Sequence, residues 1–416
     1  MSGSEGQAHS AALSLTVAAA TGGRLLTLSS VGRVIGSWSL DKAELEDART
    51  TLRAALVAVH DAAGNNLTLK QEESEAAVHG LVKIGRRLLF SLAPEQEQQA
   101  QFERATHPLA QQALRPDLPS RVVEVVYDRD FLFPFELLRW IYVNPTADTA
   151  TLSRSLMGMS AVVQRRVAGV ENRPDPSQLA NHPRLPLSVF HHPKLSASRL
   201  ELEYFAMTAA LTDVYGPWPE KGPAAKVRKS DILRHILDHR AGVLPGEAPD
   251  LPSEILHFAC HTVTKDRPSD RHAIKLAADF EILLGDLKEA VVDPPYCQVP
   301  PPRPLVFLNS CGSAPTSVGE GVSFPQFFLH RAYRGVIGTL CDISDEVAAH
   351  FSQHFYKNLL EGRTVGESMH RARWHLMDVH RNPLGLLYTF HGNPDLRVAR
   401  SRRGQVPRPP CTAVPT

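Results

Sequence analysis

The chain is poor in cysteine. Five thiols are scattered through 416 residues, an odd number with no spacing that resembles a secreted disulfide framework. Reduced thiols and a cytosolic setting are therefore expected. An excess of charge of either sign is also missing: 45 Lys and Arg against 44 Asp and Glu leave a formal net charge of +1. That balance removes the electrostatic footing for a dedicated nucleic-acid or membrane-surface binder. No apolar run approaches the ~18 residues of a membrane span. The opening MSGSEGQAHS has neither the basic segment nor the apolar stretch of a secretory signal. A phosphate loop is absent, because Gly319 and Gly321 in SVGEGVSF are not followed by Gly-Lys-Ser/Thr. Residues 1–115 carry no tetratricopeptide-like period. What is present is a 43% hydrophobic composition, which excludes wholesale disorder and allows a large buried core.

Along the chain, SLTVAAATGGRLLTLSS reads as a β-hairpin about Gly22-Gly23. Leu45, Ala48, Leu52, Ala55 and Val59 repeat at helical spacing, as do Ala76, Val78, Leu81, Ile84 and Leu88. RPDLPSR (115–121) breaks that pattern and marks a boundary. The texture then becomes α/β. RVVEVVYD, LPLSVFHH, EILHFACH, LVFLNSC and YRGVIGTLCDIS read as strands, the middle ones compact and apolar as strands buried on both faces are. Ser198 and Glu201 have the spacing of a capping box ahead of LEYFAMTAALTDVY, and Thr364 and Glu367 repeat it before Met369, Ala372 and Leu376. KSDILRHILDHR, EILLGDLKEAVV and SDEVAAHFSQHFYKNLLEG read as helices. Strands alternating with helices predict a mostly parallel sheet with helices on both faces, whose functional groups collect at the carboxyl ends of the strands.

That rule singles out His261 and Cys311, each at the end of a buried strand. A cysteine nucleophile needs a nearby base or cation to raise its thiolate fraction. Gly312 and Ser313 after Cys311 leave room for a carbonyl and free backbone N–H groups to hold an oxyanion. A lone strand-end histidine is more often a satisfied structural residue, and a lone strand cysteine more often an inert thiol. Their joint placement is what raises this pair. A metal is not expected: His257 and His261 lie about 13 Å apart by strand rise, with Cys260 on the opposite face. No cofactor is expected either. The proline-rich loop 293–304 is either a regulatory lid or a stiff connection, and the basic tail (Arg397, Arg400, Arg402, Arg403, Arg408) reads as a solvated terminus.

ILHFACHT, LVFLNSCGSAPTSVGEGVSFPQFFLHRAYRGVIGTLCDISDEVAAHFSQHFYKNLLEGRTVGESMHRAR and LLYTFHGNPDLRV, in that order, resemble a CHAT domain, a caspase-like and separase-like cysteine peptidase family. FLFPFELL and SASRLELEYFAMTAAL resemble its earlier segments. The resemblance covers roughly 118–400. It implies a three-layer caspase-like sandwich at 118–400, preceded by an accessory region of hairpin and helices (1–117) and followed by a disordered basic tail (401–416). It further implies an endopeptidase with Cys311 as nucleophile and His261 as its acid–base partner. The amides of Cys311 and Thr262, with Gly312 beside them, would hold the oxyanion. Thr262 departs from the family's glycine, and a β-branched residue restricts the backbone there. Asp345, and after it Asp342, match the segment that supplies an acid to a pocket for a basic P1 side chain, though Asp345 also opens a helix whose dipole favours it. Asn309 stands where arginine-cleaving relatives carry a second acid, which leaves neutral P1 side chains open. The family further implies a protein substrate, such as a gasdermin-like pore former or another neighbour-encoded protein, in an antiviral or stress programme switched on by an unknown activator. The alternative is a catalytically silent scaffold of the same fold.

Overall fold

The computed structural model describes residues 13–21, 23–30, 32–113, 121–127, 133–167, 178–179, 184–219, 227–238, 244, 252–264, 272–292, 303–310 and 323–399. It opens with an antiparallel meander of β1 (Leu13–Ala20), β2 (Gly23–Ser30) and β3 (Arg33–Leu40). Helices α1 (Lys42–Ala63), α2 (Gln71–Leu92) and α3 (Gln96–Ala113) follow. Then come β4 (Arg121–Tyr127), the short helices α4 (Thr149–Arg154) and α5 (Met157–Ser160), β5 (Ala161–Val167) and β6 (Gln178–Leu179). The next stretch alternates: β7 (Leu185–His191), α6 (Ser196–Met207), β8 (Thr212–Trp218), α7 (Lys229–Asp238), β9 (Ile255–Thr264). A hairpin of β10 (His272–Ala277) and β11 (Phe280–Leu283) leads into α8 (Leu284–Val292). The chain closes with β12 (Arg303–Ser310), α9 (Phe324–His330), β13 (Tyr333–Thr339), α10 (Asp345–Leu360), α11 (Val365–His380), β14 (Tyr388–Gly392) and β15 (Arg397–Val398).

Thirteen of these strands form one sheet. β8, β7, β9, β12 and β13 run parallel side by side. β5, β4 and β1 make a second parallel block, and β14 joins the two blocks, antiparallel to both β13 and β5. The meander β1–β3 extends this same sheet rather than forming one of its own. All seven residues of β7 and of β13 are buried, as strands covered on both faces require. On one face, Phe307 packs with Phe205 of α6 and with Phe355 and Tyr356 of α10. On the other, Phe258 and Phe190 stack at 4.6 Å in a cluster with Ile232 and Ile236 of α7 and Phe328 of α9. The result is the three-layer α/β architecture expected from the sequence. The stripe Val347, Phe351, Phe355 and Leu359 is wholly buried, and Thr364 and Glu367 form the expected reciprocal cap.

Three local readings change. The 281–292 segment is not helical throughout: Phe280–Leu283 is strand, pulled into the ladder by β10, and the helix starts at Leu284 once Asp286 caps the Leu283 N–H at 2.6 Å. The segment TDVY belongs to β8, not to a helix, because Thr212–Tyr215 pair with Leu185–Ser188. Ser198 and Glu201 do not cap α6. The helix begins earlier, at Ser196, with no side-chain cap; the Ser198 hydroxyl donates to Leu195 O and His192 O, and Glu201 turns inward.

α10 and α11 also meet through a row of imidazoles. His354 and His375 stack at 3.2 Å, His350 lies 5.3 Å from His380, and His380 Nδ1 is 2.9 Å from Thr68 Oγ1. Burial, and then the neighbouring His375, lower the pKa of His354 to about 4. Burial does the same in direction to His350, His375 and His380. His391, fully buried against Tyr127, lies well below the ordinary range for the same reason, with Arg165 adding to it. Groups with depressed folded-state pKa values leave stability intact above the unfolded value near 6.5 and remove it as pH falls toward the folded value. Each such pH unit costs about 1.4 kcal/mol for a buried histidine, and less for the half-exposed helix histidines, which water screens. The melting temperature is thus expected to fall by about 5 °C or more between pH 7.5 and pH 5. A flat profile in differential scanning fluorimetry would contradict this account.

Candidate active site

β9 and β12 are parallel neighbours in a register that sets Cys260 opposite Ser310. His261 is therefore the next residue on one strand, and Cys311 is bonded to the last residue of the other. Cys311 and Gly312 themselves lie outside the described residues, as do Gly319, Gly321, residues 293–302 of the proline-rich loop and the tail from Arg400. Side chains alternate along a strand, so His257, Ala259 and His261 share the face covered by α6 and α10, where the His257 ring meets Phe205 and Tyr356.

His261 is partly exposed and stands where β9 changes partner: β7 pairs with it up to Ala259, and β10 from His261, opposite Lys275. Just past β7, His192 donates its N–H to Ala259 O at 2.8 Å and lays its buried ring edge-on against His261, with centroids 5.0 Å apart. Burial first, then the charges of His261, Lys275 and Lys194, hold His192 below its ordinary pKa. It is thus a neutral wall for His261 rather than a competing cation. Thr262 continues β9, and its hydroxyl lies 2.7 Å from that of Ser310. A glycine could not make this tie, which links the ends of the two strands.

Beside this edge opens a small cleft, open to solvent, contributed by α6, β9, β12, β13, β14 and α10. Glu201, Asn309, Asp345 and Tyr388 line it. Asn309 is buried and fully braced: its Nδ2 donates to Glu201 and, at 3.1 Å, to Ala348 O, while Tyr388 donates to its Oδ1. Tyr388 in turn stacks flat on Phe351 at 3.7 Å. Glu201 also accepts from Ser352, and its Oε2 lies 3.3 Å from His257 Nε2. Tyr356, whose pKa is raised well above the ordinary value by burial and then by the Glu201 charge, keeps its proton, and its hydroxyl lies 3.0 Å from His257 Nδ1. His257 is wholly buried, and among the described residues no group of His, Cys, Asp and Glu is arranged to hold a metal.

Of the residues singled out from the sequence, His261, Thr262, Asn309 and Asp345 gather at this end of the sheet. Asp342 is exposed between β13 and α10 and is not part of the cleft lining. Glu201 and His192 were not anticipated. Glu201 could have been found: Ser198, Glu201 and Phe205 form the buried stripe of α6, and a carboxylate on such a stripe calls for a polar interior. His192 carries no sequence mark beyond its strand-end position.

Residues 99–397 match the family model described as CHAT domain, and the chain belongs to that family. A probable protease of Vitiosangium sp. (strain GDMCC 1.1324) is 35% identical over 102 residues, which is 24% of this chain and 13% of that protein. This chain therefore aligns with only a small part of that relative. Among solved structures, the Saccharomyces cerevisiae separase–securin complex is similar over 91% of this chain and 30% of that chain, at 12% identity and a TM-score of 0.49. The Arg-specific cysteine proteinase gingipain R is similar over 72% of this chain and 68% of that one, at 10% identity and a TM-score of 0.42. No helix among the described residues is long and apolar enough to cross a membrane.

Proposed function

We propose that the chain is a cysteine endopeptidase acting through His261 and Cys311. The observation that carries this reading is the parallel pairing of β9 and β12 in a register that ends on Cys260 and Ser310, with a cleft alongside. In the reaction, His261 takes the Cys311 thiol proton and the thiolate attacks the scissile carbonyl. The oxyanion is held by backbone N–H groups at Cys311, Gly312 and Thr262. His261 then returns the proton to the departing amine, and water hydrolyses the thioester. The cleft receives the P1 side chain, with Asp345 as its carboxylate near the mouth and Asn309 at its floor. Asp342, exposed and off the cleft, is a less suited second acid. Residues 1–117 act as an accessory region to the peptidase domain at 118–400, with 401–416 a basic tail. We place the protein in the bacterial cytoplasm, cleaving a protein partner, gasdermin-like or otherwise neighbour-encoded, in an antiviral or stress response after an activator engages it.

The test is selective labelling. A peptide electrophile, or iodoacetamide at low dose, is expected to modify Cys311 at least about tenfold faster than the other four thiols, with sites read by peptide mass spectrometry. Cys341, partly exposed, is the stringent comparison, since Cys260 is buried. Equal, slow labelling, together with undiminished proteolysis in a Cys311→Ala chain, would reject the reading. A catalytically silent scaffold predicts equal labelling and no proteolysis at all.

A further inference from the structure

We propose that Arg86 and Arg139, with Phe90 and Tyr142 beside them, form a docking surface for an acidic segment of a protein partner. Local structure assembles these four side chains. Arg86 and Phe90 stand one turn apart on α2, and the Arg86 guanidinium lies over the Phe90 ring at 5.4 Å. The loop after Leu138 runs along the same helix because position 85 is glycine: a Cβ there would collide with Leu137 O and with Arg139 N. The Arg139 N–H donates to Gly85 O at 3.2 Å, and the Thr106 hydroxyl of α3 lies 3.2 Å from Trp140 O. The loop so fixed brings Arg139 to Arg86. Its guanidinium lies over the Tyr142 ring at 5.3 Å, with Nη2 donating to Val143 O at 3.0 Å.

Two guanidinium groups are thus held together, which costs energy unless an anion answers them. Among the described residues no carboxylate pairs with either. Burial first, then Arg86, lower the Arg139 pKa; Tyr142 opposes them and no Asp or Glu does. Both rings are open to solvent, Tyr142 78% and Phe90 41% exposed, and Tyr and Arg are the side chains on which interface energy concentrates. Stacking on a ring orders each guanidinium in advance, so less freedom is lost when it pairs. A carboxylate takes the two-pronged bond that a guanidinium offers, and apolar neighbours of that carboxylate would cover the rings. An acidic, partly apolar peptide has this chemistry. A nucleic acid fits less well, because it calls for a broad basic field along its phosphates, and this chain carries a net charge of only +1. None of the four side chains lines the cleft beside His261, so the surface is separate from the peptidase reading.

The experiment is fluorescence anisotropy on the full-length Cys311→Ala chain. The probes are a labelled peptide of Glu-Leu-Gly-Ser repeats, its Gln-Leu-Gly-Ser counterpart and a labelled oligothymidylate. Saturable binding of the Glu peptide is expected, with the other two weak. Arg86→Gln combined with Arg139→Gln is expected to weaken it by about tenfold or more, and Tyr142→Ala by about fivefold. Lys83→Gln combined with Arg87→Gln removes the same charge from exposed positions of α2 and is expected to change little. Arg139 is half-buried; should its variant fail to fold, Arg86→Glu, at an exposed position, is expected to show the same loss. Failure of the Glu peptide to bind, equal losses in the two double variants, full binding by Tyr142→Ala, or tighter binding of the oligothymidylate would each overturn the proposal. With Cys311 restored, Arg86→Gln is expected to leave Cys311 labelling unchanged, so the surface and the peptidase reading stand or fall separately.

Discussion

Replacing His261 by alanine is expected to lower peptide cleavage by about 10³-fold or more, since general acid–base transfer and nucleophile activation are lost together. The substitution touches little else. His261 is partly exposed at a strand end, and the tie between β9 and β12 runs through Thr262 and Ser310 on neighbouring positions. The folded chain should therefore survive, and the loss should fall on kcat rather than on binding. Alkylation of Cys311 gives an independent readout that needs no substrate. Without the imidazole, its rate should follow an unassisted thiol and rise only toward pH 8.5 and above, about the ordinary cysteine pKa. A His261→Ala chain that cleaves and alkylates like the parent would mean that another base serves Cys311.

The largest stability effect is expected at Glu136. It pairs with Arg165, side chains 1% and 2% exposed, through both carboxylate oxygens. Arg165 also donates to Phe133 O at 2.7 Å. Beside them Arg373, likewise buried, donates to Gly158 O at 2.9 Å and to Tyr388 O at 2.6 Å. Burial first pulls the Arg373 pKa down to about 10, with Glu136 opposing that fall and Arg165 adding to it. Glu136→Gln would leave two buried guanidinium groups without their anion, at a cost of about 3–5 kcal/mol in a urea melt. The Arg166–Glu124 pair, 40% and 20% exposed, serves as control, with Glu124→Gln costing no more than about 1 kcal/mol. Similar losses in the two variants would show that the buried pair carries no special weight. Because Arg373 holds the backbone of Tyr388, whose hydroxyl braces Asn309, a partly unfolded Glu136→Gln chain should also lose order in the cleft.

The sheet-forming apolar runs and the α10 stripe were legible because burial on both faces leaves an unmistakable pattern. The order of strands was legible only in class. Nothing local told that β14 would join two parallel blocks or that β1–β3 would extend one of them, since pairing is set by long-range packing. His261 could be read because a strand end in a parallel sheet is a place with meaning. Glu201 was passed over, because its spacing from Ser198 satisfied a local rule, while the interior offered Asn309, Ser352 and His257 as better partners. TDVY was drawn from helix to strand by the free edge of β7, and Phe280–Leu283 by that of β10.

The change of partner along β9 has a consequence for how a chain can approach His261. One edge of β9 is bound by β12 as far as Cys260; the other is taken by β7 up to Ala259 and by β10 from His261 onward. On that second side the described strand leaves no open stretch of ladder from His261 onward, so an incoming extended polypeptide cannot enrol there as an additional strand; a main chain that pairs with β9 near His261 has to do so on the β12 side, past Cys260.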